Sequence, residues 1–244
     1  MCDICTSKEA GWKGWQELPS PRQCKPVGEW IDLSHCLTED LSRIPSLPAP
    51  TFRRISQLSE NSANVTEIKM VAHFGTHLDA PCHFIQGAPS AEQIPLDRLH
   101  GPGVVWRIDV APLSEITAEQ LEQARPIMQR GDIVLISTNW ARHIGTSLYE
   151  DQPHLSLAAA QWLVDHGAKI VAVDFSTPDL TAHKRPPGFR WPVHKIMLSN
   201  GVLIAEHLTN LASLEGRTVE AMFMGLNIFG SDGLPARVLA RAAV

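Results

Sequence analysis

Residues 168–176, AKIVAVDFS, restrict the architecture more than any other stretch of the chain. Ile170 to Val173 run without a polar break, so both faces of the strand they form are apolar and both need cover. The preceding segment, SLAAAQWLVDHG (156–167), reads as a helix with Ser156 as N-cap and Gly167 just past its end. Upstream, GDIVLISTNW (131–140) is a second strand after Gly-Asp punctuation. Before it, ITAEQLEQARPIM (116–128) opens a helix, with Thr117 and Gln120 spaced as a capping box.

Two strand–helix–strand units therefore stand in the middle of the chain. EWIDLSHCL (29–37), VTEIKMVAHFGTHLDA (65–80), GPGVVWRIDV (101–110), NGVLIAEHL (200–208) and VEAMFMGLNIFG (219–230) add strands, and DGLPARVLARA (232–242) closes the sheet. The proline-rich runs LSRIPSLPAPTF (41–52) and TPDLTAHKRPPGFRWPVHK (177–195) read as irregular. This order predicts an α/β domain with a mixed sheet, not a doubly wound one, because the terminal strands lack crossover helices. Residues 1–28 are expected to form a poorly structured arm and 29–244 a single domain. A chain of 244 residues, 44% hydrophobic, suits one sizeable core.

The net charge is −5 and no basic block stands out, which argues against nucleic acid or an anionic membrane as partner. The start, MCDICTSKEAGWKGW, is charged early and does not read as a secretory signal. No apolar stretch reaches the roughly 20 residues that span a bilayer. The five cysteines are odd in number, which predicts reduced thiols in a cytoplasm. Cys2 and Cys5 form a lone C-x-x-C with no second pair, so a disordered terminus is expected there rather than a zinc knuckle.

The chemistry concentrates at residues 73–84, HFGTHLDAPCHF. His73, His77, Asp79 and His83 share odd parity, so an extended chain places all four on one face, with Gly75 leaving room between them. Ionisable groups this dense cost free energy unless something compensates them. Two imidazoles and a carboxylate suit Zn²⁺, Mn²⁺ or Fe²⁺, with coordination positions left for water. His83, spaced from the triplet, is a candidate general acid/base. Glu206 lies in an otherwise apolar strand and wants a metal or a cation. His207 is expected on the opposite face, and Cys82, of the wrong parity, in packing. His183 or Arg185 could meet the substrate, with a solvated loop position as the default, and Phe189 and Trp191 either roof a pocket or pack in the core.

The stretch closely resembles the H-x-G-T-H-x-D-x-P-x-H motif of the metal-dependent cyclase family, which includes bacterial kynurenine formamidases and isatin hydrolases. All seven fixed positions are met: His73, Gly75, Thr76, His77, Asp79, Pro81 and His83. The likeness extends over about residues 28–240. GDIVLISTNW resembles the family's strand ending in Thr-Gly-Trp, with Asn139 where glycine is usual. VHKIMLSNGVLIAEHLTNL resembles its second metal-ligand region.

The resemblance implies a swivelling β/β/α domain, usually a homodimer or larger, such as a homotetramer. It implies a first metal on His73, His77 and Asp79, with Asp79 bridging to a second on His194 and Glu206, Glu206 being shared, and His83 as proton donor and acceptor. One ion or two, zinc or manganese, stays open. Kynurenine formamidases carry an aromatic residue where IPSLP places Leu47, and leucine supplies no ring stacking. Phe84 and Trp191 join Leu47 as candidate substrate contacts.

The expected activity is hydrolysis of a small amide, cyclic amide or lactone, with metal-bound hydroxide attacking the carbonyl and His83 protonating the leaving atom. One rival is an Fe(II) facial-triad oxygenase built on His77, Asp79 and a distant histidine, with His207 and Arg217 ten residues apart. Another is a non-catalytic binding protein whose metal is structural, which a closed coordination shell would mark.

Overall fold

The computed structural model describes residues 11–44 and 46–244; Cys2 and Cys5 lie outside them. In chain order the strands are β1 (Ile31–Asp32), β2 (Thr51–Ser56), β3 (Val65–Lys69), β4 (His77–Asp79), β5 (His100–Arg107) and β6 (Glu115–Ile116). They continue as β7 (Ile133–Ser137), β8 (His154–Leu155), β9 (Ile170–Val173), β10 (Leu203–Glu206), β11 (Arg217–Gly225) and β12 (Gly233–Ala243). The α-helices are α1 (Ala118–Gln123), α2 (Leu157–Asp165) and α3 (Pro192–Ser199).

The apolar strands are buried on both faces, and the period of two divides each between two cores. Val104, Val134, Val171 and Ile204 lie in register across the parallel neighbours β5, β7, β9 and β10, and pack in one apolar cluster with Leu121 of α1, Leu163 of α2 and Met197 of α3. The adjacent row, Val105, Leu135, Ala172 and Ala205, joins the other cluster with Leu78, Phe223, Leu234 and Val238. That second cluster is enclosed because the sheet closes. β4 is antiparallel to both β10 and β12, so the order β4–β12–β11–β5–β7–β9–β10 returns to β4, and β1 extends the flank of β12. The result is a barrel-like mixed sheet with helices packed on one side.

Thr117 and Gln120 form the capping box of α1, and the Ser156 hydroxyl accepts from Ala159 N at the start of α2, both as the sequence predicts. Asn139 adopts a left-handed φ of 60°, which glycine enters freely and asparagine tolerates better than most residues. Two expectations change. Residues 65–80 are not one strand: β3 ends at Lys69 and a run of turns precedes β4. The stretch 177–195 is not irregular to its end, because Pro192 occupies the first turn of α3, where its missing N–H costs nothing. α3 is a third strand–helix–strand crossover, between β9 and β10.

The described part of the arm, residues 11–28, has almost no regular structure but is tied to the domain. Lys13 N donates to Ser199 O, Val27 N to Ala242 O, and Arg22 Nε to Asp132 Oδ1. Trp15 packs on the barrel core under the Arg98 guanidinium. Among the described residues no helix is long and apolar enough to cross a membrane.

Candidate metal centre

β4 lies between the end of β10 and the start of β12, and that position assembles the cluster. Asp79 pairs with Ile204 on one side and Gly233 on the other, and His77 with Glu206 and Pro235. Only His77 and Asp79 share a strand face. His73 comes from the turn before β4, and His83 ends the short 3₁₀ turn Pro81–His83 after it. The single extended face expected from parity is therefore corrected: a turn and a 3₁₀ helix fold the outer two histidines back over the strand. The His73 and His83 rings stack with centroids 3.9 Å apart.

The remaining motif residues make that geometry. Gly75 has φ 66°, and a Cβ there would meet Leu37 Cδ2 at 2.3 Å, so only glycine fits. The Thr76 hydroxyl donates to His207 O (2.6 Å) and accepts from His35 N (3.0 Å), stitching the motif to the end of β10. The His77 Nδ1–H donates to Gly75 O (2.8 Å), which leaves Nε2 to face the carboxylates of Asp79 and Glu206, each 3.4 Å away. Gly233 is as strict as Gly75, since a Cβ on it would lie 2.7 Å from His73 Cε1.

His194 enters from the first turn of α3. One Asp179 carboxylate accepts from Val193 N, from His194 N and from the His194 Nδ1–H (2.6 Å). That triple contact caps the helix and turns Nε2 towards Asp79 Oδ2 and Glu206 Oε1, both at 3.2 Å. Asp232 lies 3.2 Å from His73 Nε2 and 3.3 Å from His83 Nδ1. Neither Asp179 nor Asp232 belongs to the motif, and nothing in the sequence marks their role; an Asp in the loop after β9 and one before β12 look like turn residues.

All six sequence-derived ligand and catalytic candidates thus meet at one place. Five of them give two groups, His73–Asp79–His83 and His77–Asp79–Glu206, within each of which one donor atom per residue lies inside 4.8 Å of the others, and His194 faces Asp79 and Glu206 from α3. Asp79 is common to both; His77 falls with Glu206, and His83 falls with His73.

The donor set fits a divalent cation. His73 Nε2, His77 Nε2 and Asp79 Oδ2 are buried and satisfied by no hydrogen bond, although each faces a charged neighbour within 3.4 Å. Unpaired polar atoms so deep are expensive, and a cation is the partner all three accept. The electrostatics agree. Burial would lower His73 and His77, but Asp232 and Asp79 hold His73 up at about 9, and Asp79 and Glu206 hold His77 up at about 10. Burial and the Asp79 charge would raise Glu206, yet His194 and His77 hold it below its ordinary value. The carboxylates demand positive charge here, and a metal would supply it in place of protons. His83 differs: burial lowers it, so it is neutral near pH 7.

The cluster forms one wall of a cavity of about 610 Å³. Leu47, Phe84 and Trp191 line the cavity, with the Phe84 and Trp191 rings 5.6 Å apart. His207 also reaches the cavity, because the strand ends at Glu206 and His207 turns back with φ 56°. Its ring is buried and bonded through Nδ1 to the Tyr149 hydroxyl (2.8 Å).

Comparison with known proteins gives the same picture. The Cyclase family model matches residues 31–180. A kynurenine formamidase from Bacillus mycoides (strain KBAB4) is 27% identical over 218 residues, which is 88% of this chain and 98% of the relative. A solved structure described as a potential metal-dependent hydrolase with cyclase activity is 26% identical, with a TM-score of 0.71 over 87% of this chain and 96% of its own. Isatin hydrolase A from Ralstonia solanacearum is 25% identical, with a TM-score of 0.77 over 87% of this chain and 91% of its own.

Proposed function

Because the chain belongs to the Cyclase family, we propose that it is a metal-dependent hydrolase that opens the C–N bond of a small amide or cyclic amide, or the equivalent bond of a lactone. The observation that carries this reading is the pair of ligand groups sharing Asp79 at the wall of an open cavity. When bound there, a divalent metal supplies polarisation of the scissile carbonyl and water acidified to a pKa of about 7. His73, His77, Asp79, His194 and Glu206 would hold two ions, zinc or manganese. Asp179 fixes the His194 tautomer, and Gly75 O fixes that of His77. His83, neutral and facing the cavity, takes the proton of the attacking water and delivers it to the leaving nitrogen or oxygen as the C–N or C–O bond breaks. Phe84 and Trp191 flank the substrate; Leu47 contributes an apolar surface without stacking.

The two rivals fit less well. The facial-triad oxygenase leaves His73, His83 and His194 without a purpose in a cluster they complete, and His207 is bonded to Tyr149. A purely structural metal needs a closed shell, whereas this one borders a cavity. The test is elemental analysis of the purified protein, then a hydrolysis screen over N-formylkynurenine, isatin and small lactones. The expected result is about two ions per chain and turnover on at least one class. Metal-loaded protein that hydrolyses no amide or ester sinks the reading.

The free thiols of Cys24, Cys36 and Cys82 support a cytoplasmic setting, which cell fractionation checks. A second copy of this chain is the proposed partner. Among the described residues the β2–β3 hairpin pairs with no other strand, yet it exposes Ile55, Leu58, Val65 and Ile68. An isolated two-stranded hairpin is at best marginally stable in water, so these side chains want cover. Light scattering on the eluting protein is expected to give twice the chain mass or a multiple of it; a monomer at micromolar concentration contradicts the proposal.

A further inference from the structure

His207 directly follows Glu206 in the chain, yet the hydrolytic roles of the cluster do not include it. Its backbone is left-handed, with φ 56°, a conformation that glycine or asparagine enters at less cost. Three contacts pin it there. Its N–H donates to Phe175 O at 3.0 Å, its carbonyl accepts from the Thr76 hydroxyl at 2.6 Å, and its Nδ1 meets the Tyr149 hydroxyl at 2.8 Å. Strained residues that their surroundings hold in place cluster at functional sites.

The Tyr149 contact decides which ring nitrogen carries the proton. Tyr149 is 1% exposed, and burial pushes its phenol well above the ordinary range, so the hydroxyl keeps its proton. Among the described residues that proton has no acceptor other than His207 Nδ1. A buried hydroxyl with an unused donor is costly, so it donates to Nδ1. Nδ1 is then the acceptor, and the ring proton sits on Nε2. Nε2–H itself has no partner among the described residues, although only 4% of the residue is exposed.

The ring borders the cavity and also a narrow crevice of about 20 Å³ beside Ser176 and Thr177. Its centroid lies 6.1 Å from that of His77, so the unused donor stands beside the His77–Asp79–Glu206 group. A buried N–H without a partner wants an acceptor. During hydrolysis the acceptor that arises at this wall is the carbonyl oxygen, which gains negative charge as water adds to the carbon.

We propose that His207 is a further catalytic residue: its Nε2–H donates a hydrogen bond to the oxygen of the scissile carbonyl, and Tyr149 is the positioning residue that sets its tautomer. This rests on the hydrolase reading of the same cavity. His207 transfers no proton; that role stays with His83. The bond strengthens as the oxygen becomes an oxyanion, so it acts on kcat rather than on KM.

The experiment has two arms. Nitrogen NMR of histidine-labelled, zinc-loaded protein reads the tautomer, with the His207 signals identified by their loss in His207→Asn. A neutral Nε2–H ring is expected, becoming a tautomer mixture in Tyr149→Phe; an Nδ1–H ring in the wild type overturns the proposal. The second arm measures kinetics on N-formylkynurenine and isatin. Asparagine suits the left-handed backbone and reaches Tyr149 where Nδ1 stood, but not the position of Nε2. His207→Asn is therefore expected to lower kcat by about 10²-fold with KM and metal content unchanged, the scale of one lost oxyanion donor. His207→Gln, whose amide reaches further, is expected to recover part of the loss, and Tyr149→Phe to fall between Asn and wild type. A rise in KM alone, an unchanged kcat, or metal lost in step with activity overturns the role and leaves the hydrolase reading intact. A metal-loaded wild type that cleaves neither these compounds nor small lactones sinks the hydrolase reading and this role with it.

Discussion

Asp79→Asn is expected to release bound divalent metal and to lower kcat/KM by about 10³-fold or more, because the several kcal/mol of transition-state stabilisation that a metal supplies is lost with it. The substitution keeps the shape of the side chain and removes its charge. Asp79 Oδ1 lies 2.9 Å from His73 Nδ1 and 3.4 Å from His77 Nε2, and Oδ2 lies 3.2 Å from His194 Nε2. Both candidate ligand groups contain it. The histidines hold Asp79 well below the usual carboxylate range despite its burial, which shows how strongly the charge is used. Elemental analysis after dialysis, with circular dichroism to show that the fold survives, reads the outcome. Retention of a full complement of metal in Asp79→Asn would show that Asp79 bridges nothing.

His83→Ala separates two roles that geometry alone leaves adjacent. As the proton-transfer group, its loss is expected to lower kcat by about 10²–10⁴-fold with metal content unchanged. As a ligand of the first group, its loss is expected to lower metal content and activity together. The neutral imidazole and its place on the cavity wall favour the first outcome. The ring is held between His73, stacked at 3.9 Å, and Asp232, 3.3 Å from Nδ1, so the side chain is pinned where a leaving atom would collect its proton. Metal content falling in step with activity would move His83 to the ligand set.

Much of this was legible in the residues. The apolar run of β9, the capping box of α1 and the N-cap of α2 were readable because they depend on local chemistry: side-chain period, a hydroxyl beside free N–H groups, a glycine past a helix end. The density of His73, His77, Asp79 and His83 marked the site for the same reason, since four such groups close together need a cation whatever the surrounding fold. Glu206 stood out as a lone carboxylate in an apolar strand, and the resemblance added His194. Where reading along the chain went wrong, a turn or a helix replaced an assumed strand. Parity held for His77 and Asp79 alone, and α3 was hidden behind four prolines, of which Pro192 begins the helix rather than preventing it.

Local sequence therefore determined which residues carry the chemistry, because their donor atoms are properties of the side chains themselves. Tertiary structure alone decided how they are shared. Closure of the sheet around β4 makes Asp79 common to two groups, Asp179 aims His194 from another loop, and Asp232 reaches His83 across 149 residues of chain. Each of these pairings depends on the distance between atoms brought together by a closed sheet, which no pattern of neighbours along the chain encodes.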